Sequence, residues 1–269
     1  MRLSEARVVL TGASGGIGLA ITTALCASGA RVLAVARHRE PLAPLLERYP
    51  QQLCWIGADL TFLADRRKVL GAAEAIGGIN LLINAAGVNH FAMLEQLDDS
   101  DINAMLAVNI SAPICLTKLL LPLLKQAESA MVVNVGSTYG SIGYPGYASY
   151  CATKFALRGF SEALRRELAD TRVGVLYVAP RATRTSMNSP AAQALNDALK
   201  SSVDDPQKVA SAVIHAIAGD HRDLYLGWPE RFFVRLNSLL PNLVDRGLRK
   251  QLPLIRRLSQ KPDNENLKP

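Results

Sequence analysis

The 269-residue chain lacks the cysteine and histidine patterns that mark disulfide scaffolds and metal sites. Its cysteines form no C-x-x-C pair and lie in apolar stretches, at positions 26, 54, 115 and 151. We interpret them as reduced core residues of a cytoplasmic protein. The four histidines show no metal-ligand spacing, so we predict no metal site.

Linkers, repeats and long apolar runs are also missing. No proline-rich or serine-rich segment divides the chain, and there is no internal repeat. The apolar run 119–124 is interrupted by Pro122 and is too short to span a bilayer. The first apolar run already begins at Arg7, which leaves no room for a signal peptide before it. We therefore expect a cytoplasmic chain without a membrane-spanning helix.

What is present instead is an alternation of short apolar runs with longer helical stretches. The runs cover 7–11, 31–36, 53–57, 80–84, 130–136, 173–178 and 223–226. This alternation predicts a single α/β domain with a parallel sheet and helices on both of its faces. In such a sheet, ligands bind at the carboxyl ends of the strands.

A glycine-rich turn follows the first run and precedes an apolar helix pattern, in the spacing T-G-x-x-x-G-x-G. The three glycines let the backbone approach a pyrophosphate, and the free N–H groups at the start of the helix face the anion. This strand–turn–helix unit therefore predicts dinucleotide binding. The predicted phosphate-binding residues are Gly12, Ser14, Gly16, Ile17 and Gly18.

The end of the second run indicates which dinucleotide binds. It reads Arg37-His38-Arg39, with no acid before Glu40. An acid here would bond the ribose 2′-hydroxyl of NAD, whereas a guanidinium binds a 2′-phosphate with charge-assisted hydrogen bonds. Arg37 therefore predicts NADP(H) as the cofactor. The alternative is that Arg37 and Arg39 form a solvated loop and that the cofactor specificity is mixed.

A tyrosine and a lysine stand four residues apart in Tyr150-Cys-Ala-Thr-Lys154, with Ser137 thirteen residues upstream of the tyrosine. On a helix the two side chains lie on one face, one turn apart. A lysine charge near the phenol is expected to lower its pKa and to let it exchange a proton with an alcohol oxygen. Alone, such a pair is most often a surface feature without a chemical role; the glycine turn in the same chain favours a chemical role.

In this combination and order, the motifs resemble the short-chain dehydrogenase/reductase family, in its compact single-domain branch, over about residues 5–227. The resemblance implies a Rossmann-type doubly wound sheet. The segment 84–87 is similar to the family's Asn-Asn-Ala-Gly turn, with one asparagine replaced by alanine. The segment 180–185 is similar to its Pro-Gly-x-Val-x-Thr sequence. The cofactor contacts that the resemblance adds are Asp59, Leu60, Asn84, Ala85, Gly87, Tyr150, Lys154, Pro180, Thr183 and Thr185.

The resemblance also implies roles for a catalytic tetrad. Tyr150 would be the general acid or base, and Ser137 would bind the substrate oxygen. Lys154 would bind the nicotinamide ribose and lower the tyrosine pKa, and Asn109 would anchor a water of the proton relay. The family further implies a homo-oligomer in which the helix carrying Tyr150 contacts a second subunit.

One departure from the family pattern is a large cation at position 181, where the family usually has glycine. Arg181 lies next to the expected nicotinamide pocket. Three placements are open: contact with an anionic substrate group, a place on the outer rim of the pocket, or exposure to solvent. Of these, we favour the rim.

Beyond residue 227 the resemblance ends, and a basic tail covers 228–269. Segment 228–261 holds eight Lys or Arg and two acids, a net +6 of the +7 of the whole chain. Three interpretations are open: helices packed over the substrate loop or an oligomer interface, an amphipathic helix on an anionic membrane surface, and nucleic-acid binding. We do not expect nucleic-acid binding, because nothing else resembles a nucleic-acid module. Apolar residues recur at helical spacing, at positions 232, 236, 239, 240, 243 and 244.

These observations lead to one main functional expectation. We expect an NADP(H)-dependent enzyme that interconverts a small-molecule carbonyl and a secondary alcohol. Met187, Leu195 and Leu199 in the expected substrate loop favour an apolar or lipid-like substrate. The alternative is an NADP-binding sensor or scaffold that docks on a membrane or a partner through its tail.

Overall fold

The computed structural model describes residues 1–260, which form one seven-stranded parallel sheet. The predicted strands agree with the structure to within one residue at either end, and the doubly wound parallel sheet is confirmed. The strands are β1 (Arg7–Thr11), β2 (Arg31–Ala36), β3 (Leu53–Gly57), β4 (Leu81–Asn84), β5 (Ala130–Val135), β6 (Val173–Ala179) and β7 (Asp223–Tyr225).

The strand order is β3-β2-β1-β4-β5-β6-β7, so the direction of winding reverses between β1 and β4. The final residues of these two strands, Thr11 and Asn84, are paired in register. At such a reversal the loops that follow the two strands run in opposite directions and open a crevice between them. The sheet therefore provides a binding crevice where the sequence places the glycine turn.

Helices cover both faces of the sheet because successive strand residues point to opposite sides. Val8 and Leu10 face one buried cluster, and Val9 faces the other. The helices are α1 (Gly16–Ala27), α2 (Ala43–Arg48), α3 (Leu63–Ala75), α4 (Asp99–Leu106), α5 (Ala112–Gln126), α6 (Ala148–Glu167), α7 (Pro190–Ala198), α8 (Pro206–Ala218), α9 (Trp228–Leu239) and α10 (Pro241–Ser259).

Helices α4 and α5 are joined by a π-helical turn, Ala107–Ser111, into one helical run. Within residues 1–260, this run is the one helix long and apolar enough to span a bilayer by length and composition, with a mean hydropathy of 1.8. It extends well beyond the 119–124 segment that the sequence singles out. Core helices pass the same test, and Leu116, Leu120 and Leu124 are fully buried against the sheet.

The described part of the basic tail forms α9 and α10, which pack on the domain. Val234 and Ile255 are buried. The Tyr144 hydroxyl donates to Oε1 of Gln251 at 2.8 Å, and Nδ2 of Asn237 donates to a loop carbonyl at 3.0 Å. Helix α10 also contacts α7 in the expected substrate loop. The structure thus supports the packed interpretation of the tail; Lys261 and the residues after it lie outside the described residues.

The paired state and burial of the cysteines can be compared with the expectation from the sequence. All four cysteines are unpaired thiols, but Cys54 is exposed, so it is not a core residue as expected. Cys54 lies on the edge strand β3, whose residues are less buried than those of the central strands. Cys115 is also only partly buried. The homo-oligomer stays a prediction, because the structure describes a single chain.

Candidate active site

The glycine turn between β1 and α1 is packed too tightly for a side chain at Gly12 and Gly18. Gly12 has a φ of +65°, and a Cβ atom there would lie 2.7 Å from Cα of Ala86. A Cβ on Gly18 would overlap the carbonyl oxygen of Gly12. No side chain within residues 1–260 caps the first N–H groups of α1. The turn, with Ser14 and Ile17 in it, therefore has the open backbone and free donors that a pyrophosphate requires.

The loop after β4 is fastened to the end of β1. The Thr11 hydroxyl accepts hydrogen bonds from the N–H groups of Ala85 and Ala86, at 3.1 and 3.2 Å. The Asn84 side chain instead points into the sheet and donates to Thr117 and Asn134, at 3.1 and 2.9 Å. The loop backbone is therefore what borders the crevice, and the Asn84 side chain does not reach it.

At the end of the crevice where the adenine of the cofactor is expected, there is one acidic residue, Asp59, and one basic residue, Arg37. Asp59 follows β3, and its carboxylate accepts from the Thr61 N–H at 3.0 Å and from the Thr61 hydroxyl at 2.7 Å. These two hydrogen bonds, with a smaller contribution from the Arg37 charge, lower the Asp59 pKa. Leu60 beside it is buried. Arg37 is exposed, and within residues 1–260 no carboxylate lies in ion-pair contact with it.

Helix α6 carries Tyr150 and Lys154 one turn apart, and both side chains are buried. Lys154 Nζ lies 5.6 Å from the centre of the Tyr150 ring and donates to the carbonyl of Val135 at 3.1 Å. Burial lowers the pKa of Lys154 to about 8. Burial also raises the pKa of Tyr150 to about 12, against the opposing hydrogen bond of Ser137. The expected lowering of the tyrosine pKa is therefore wrong for this structure, because desolvation outweighs the hydrogen bond of Ser137.

Ser137 follows β5, and its position depends on a residue that the sequence does not single out. The Tyr177 hydroxyl, from β6, donates to the carbonyl of Ser137 at 3.2 Å and accepts from its N–H at 3.5 Å. Cβ atoms on Gly136 or Gly140 would collide with Tyr177. The sequence signal for this contact is the pair of glycines near the serine, Gly136 and Gly140. Because they have no side chain, the Tyr177 ring fits between them.

Asn109 lies in the π-helical turn and is buried. Its Oδ1 accepts from the N–H of Val88 at 2.9 Å, while Nδ2 donates to the carbonyl of Val88 and to the Thr153 hydroxyl. Asn109 thus ties the loop after β4 to helix α6, next to Lys154. Gly87 borders this contact, because a Cβ there would lie 3.3 Å from Asn109 Oδ1 and 3.6 Å from Lys154 Nζ.

Segment 180–188 closes the crevice from the other side. A Cβ on Gly16 would lie 2.6 Å from the methyl group of Thr185, so this segment packs directly on the glycine turn. The carbonyl of Pro180 accepts from the Thr138 N–H at 3.0 Å, and the Thr183 hydroxyl donates to the carbonyl of Arg181 at 2.9 Å. Pro180, Thr183 and Thr185 line the same cavity as Tyr150, and their contact with a cofactor stays a prediction.

Arg181 is engaged in an ion-pair network. Its Nε and Nη2 atoms each donate to the Asp204 carboxylate at 2.9 Å, and Nη1 lies 3.3 Å from Oε2 of Glu230. Both the Arg181 and Asp204 side chains are largely buried. The sequence favoured a place for Arg181 on the outer rim of the pocket but did not predict this network. The two carboxylates are 23 and 49 residues away from Arg181 in the sequence. Arg181 links β6 to the loop before α8 and to α9.

A cavity of about 220 Å³ brings the predicted groups together. Ile17 and Thr185 line it from the glycine turn and its cover, Ser137 and Tyr150 from β5 and α6. A family model described as short chain dehydrogenase matches residues 6–196, most of this framework. The chain belongs to the short-chain dehydrogenase/reductase family.

The chain is also similar to individual proteins and solved structures. An oxidoreductase of Botryotinia fuckeliana, BOA17, is 31% identical over 230 residues, which are 77% of this chain and 83% of that protein. The crystal structure of a Burkholderia cenocepacia short-chain dehydrogenase in complex with NADP is 26% identical, with a TM-score of 0.79 over 92% of this chain and 99% of that one. A Burkholderia phymatum short-chain dehydrogenase/reductase in complex with NAD is 21% identical, with a TM-score of 0.81 over 98% and 99% of the two chains.

Proposed function

We propose that this short-chain dehydrogenase/reductase uses NADP(H) to interconvert a carbonyl and a secondary alcohol, acting mainly as a reductase of an uncharged, apolar or lipid-like ketone or aldehyde. The observation that carries the proposal is the shared cavity, where the Tyr150 and Ser137 side chains meet residues of the glycine turn. The residues fit the cofactor, since Gly12 and Gly18 leave room for a pyrophosphate against the free N–H groups of α1.

Held by the glycine turn between β1 and α1, the nicotinamide cofactor would supply the hydride for carbonyl reduction. In that direction, the Tyr150 hydroxyl donates its proton to the carbonyl oxygen, and the Ser137 hydroxyl donates a hydrogen bond to the same oxygen. The tyrosinate that remains is stabilised by the neighbouring Lys154 ammonium. With a pKa of about 8, Lys154 is mostly protonated at neutral pH and can return a proton to the tyrosinate.

Asn109 has a positioning role in this proposal. Both hydrogens of its side-chain amide are used, one on Val88 and one on Thr153. A water that recharges Lys154 would therefore bind at the main chain of the π-helical turn rather than at this amide. Asn109 holds that turn against α6, one residue before Lys154.

The proposal of an uncharged substrate rests on the lining of the cavity. Within residues 1–260, the charged side chains that line it are Arg181 and Glu230, which pair with each other. Tyr139, Tyr147 and Met187 provide apolar surface close to Tyr150. Leu195, which the sequence placed in the substrate loop, is buried within the domain instead. An anionic substrate would have to break the Arg181 pairs to find a counter-charge.

The choice of NADP(H) rests on Arg37, which is exposed at the end of β2 beside the Asp59 turn. The first experiment is a titration of the protein with NADPH and with NADH, followed by nicotinamide fluorescence. It is combined with turnover of a carbonyl series in which neutral alkyl ketones are matched with keto acids of the same length. We expect tighter binding of NADPH and turnover of the neutral series. Equal binding of both cofactors contradicts the assignment of Arg37, and preference for keto acids contradicts the uncharged substrate.

A further inference from the structure

Helix α9 leaves a stripe of apolar side chains open to solvent. Trp228, Phe232 and Leu239 follow one another at intervals of four and seven residues, which places them on one side of the helix. They are 76%, 51% and 79% exposed, whereas Val234 on the inner side is buried. The helix is therefore amphipathic with part of its apolar surface turned outward.

The stripe continues across the turn into α10 through Leu240 and Leu243, which are both more than half exposed. Phe233 lies beside it, with its ring 5.9 Å from that of Phe232. Half of the large apolar side chains that are exposed within residues 1–260 thus fall between positions 228 and 243. Such a concentration of exposed apolar surface marks an interaction site.

An open groove of about 570 Å³ runs along the same helix and shares Leu239 with the stripe. Arg158, Arg231 and Arg235 line this groove. Arg158 is held by Glu162 at 3.0 Å, but within residues 1–260 no carboxylate pairs with Arg231 or Arg235. The one acid of the groove, Asp223, is paired with Arg165 at 3.1 Å. The groove therefore offers free cations directly beside apolar side chains.

We propose that α9 docks on an anionic phospholipid surface, with the apolar stripe in the headgroup–acyl boundary and lipid phosphates in the arginine groove. Apolar residues flanked by cations are the combination that binds such surfaces, since the anionic lipids attract each nearby Lys or Arg. A second copy of the chain is a poorer occupant, because a symmetric contact through this face would oppose the same arginines to one another.

The docking face differs from an amphipathic tail that lies on the lipid along its full length. In α10 the apolar residues Leu248, Leu252 and Ile255 face the protein and are wholly or partly buried. The apolar contact is thus confined to α9 and the first turn of α10. Glu230 in the first turn of α9 lines the active-site cavity, so the docked protein holds that cavity next to the lipid.

The test is co-sedimentation of the full chain with phosphatidylcholine vesicles, with and without about one third phosphatidylglycerol. One variant removes the stripe, Trp228→Ala/Phe232→Ala/Leu239→Ala, and its matched control is Phe62→Ala/Leu63→Ala, at exposed apolar residues on the domain. A second variant removes the groove cations, Arg231→Gln/Arg235→Gln. Its control removes two other exposed cations, Arg67→Gln/Lys125→Gln. Light scattering of each protein without lipid measures its mass.

We expect the protein and both controls to sediment with the anionic vesicles, and either test variant to bind about tenfold more weakly. Binding should also fall in high salt, and Trp228 emission should shift to shorter wavelength as the indole leaves water. Equal sedimentation of all forms, or none of any form, overturns the proposal. A drop in mass in the stripe variant alone would also overturn the proposal, because it would show that the apolar stripe binds a second copy of the chain. Turnover of a soluble ketone should be unchanged in both test variants, so a failure here is distinct from a failure of the proposed activity.

Discussion

The ammonium of Lys154 lies 5.6 Å from the centre of the Tyr150 ring, and both side chains are buried. Burial acts on the two groups in opposite directions: it lowers the lysine pKa to about 8 and raises the tyrosine pKa to about 12. The two values thus lie about 4 apart, whereas those of the free side chains, 10.5 and 10.0, nearly coincide. Tyr150 therefore holds its proton more tightly than Lys154 does, and proton transfer from the Lys154 ammonium to a Tyr150 phenolate is favourable.

The first prediction concerns the phenol. Tyr150→Phe should lower kcat by about a thousandfold, because the general acid is lost, while the dissociation constant for NADPH changes less than about twofold. The matched control is Tyr147→Phe, whose ring lies 6.1 Å from that of Tyr150 in the same aromatic cluster. We expect it to keep most of the activity. Loss of turnover in both variants to the same degree would assign the effect to packing of the cluster, and unchanged turnover in Tyr150→Phe would favour the sensor or scaffold alternative.

The second prediction concerns cofactor choice. Arg37→Asp should weaken NADPH binding by about 10- to 100-fold, the loss of a charge-assisted pair, and should leave NADH binding nearly unchanged. Fluorescence titrations with both cofactors measure the two constants. Arg48→Asp, at an exposed arginine that ends α2, makes the same change of charge away from the site. If both variants weaken NADPH equally, net charge rather than a 2′-phosphate contact determines the preference.

The third prediction concerns stability. Lys154→Met should stabilise the cofactor-free protein at pH 7 by on the order of 2–3 kcal/mol, since a pKa lowered from 10.5 to about 8 means that burying the ammonium costs free energy. The unfolded state binds more protons between these two values, so the wild-type free energy of unfolding should rise with pH from about 8 to about 10.5. Urea denaturation at several pH values measures both effects. Lys125→Met, at an exposed lysine, should keep the wild-type stability and its rise with pH, whereas Lys154→Met should lose that rise. Activity should be lost in Lys154→Met alone.

The fourth prediction concerns the Arg181 network. Arg181→Met leaves the buried Asp204 carboxylate with Lys208 as its remaining ion-pair partner, and we expect a loss of about 2–3 kcal/mol in the free energy of unfolding. Arg181 and Lys208 lower the Asp204 pKa, so the wild-type contribution is complete above the unfolded pKa of about 3.9 and is lost as the pH falls through the lower folded value. Urea denaturation of Arg181→Met/Asp204→Asn should recover part of the loss.

A fully exposed ion pair provides the comparison for the fourth prediction. Arg2 and Glu5 lie 2.9 Å apart with 82% and 58% of their side chains exposed, and Arg2→Met should cost less than about 0.5 kcal/mol. An equal loss in Arg2→Met and Arg181→Met would contradict the view that burial makes the Arg181 pairs important.

The sequence predicts features that depend on local spacing. The strands, the glycine turn and the shared face of Tyr150 and Lys154 follow from residues close together in the chain, and the fold confirms their arrangement. Features that depend on distant partners are missed. Arg181 meets Asp204 and Glu230 only after folding, and the shift of the Tyr150 pKa depends on desolvation that a four-residue spacing does not show.

The tail shows a second limit of the sequence. Helical spacing predicts amphipathic helices, but it does not say which side faces the protein. In α10 the apolar side packs inward at Ile255, whereas in α9 Trp228 and Phe232 face solvent. The side that a helix turns inward is decided by what it meets, here the loop that contains Tyr144 and the substrate loop of α7.

The contact between Tyr177 and the main chain of Ser137 makes the position of the serine independent of the loop that follows it in the sequence. Because a strand residue holds the serine from below, its distance from Tyr150 is set by the sheet and α6, and the loop 141–146 that follows contributes little to it. That loop, α7 and the tail can then be exchanged for segments of another shape while the reacting groups stay in place. The scaffold is in this respect modular, and the segment after Thr185, which lines the cavity with Met187 and Asn188, is the place to graft a foreign loop for new substrates.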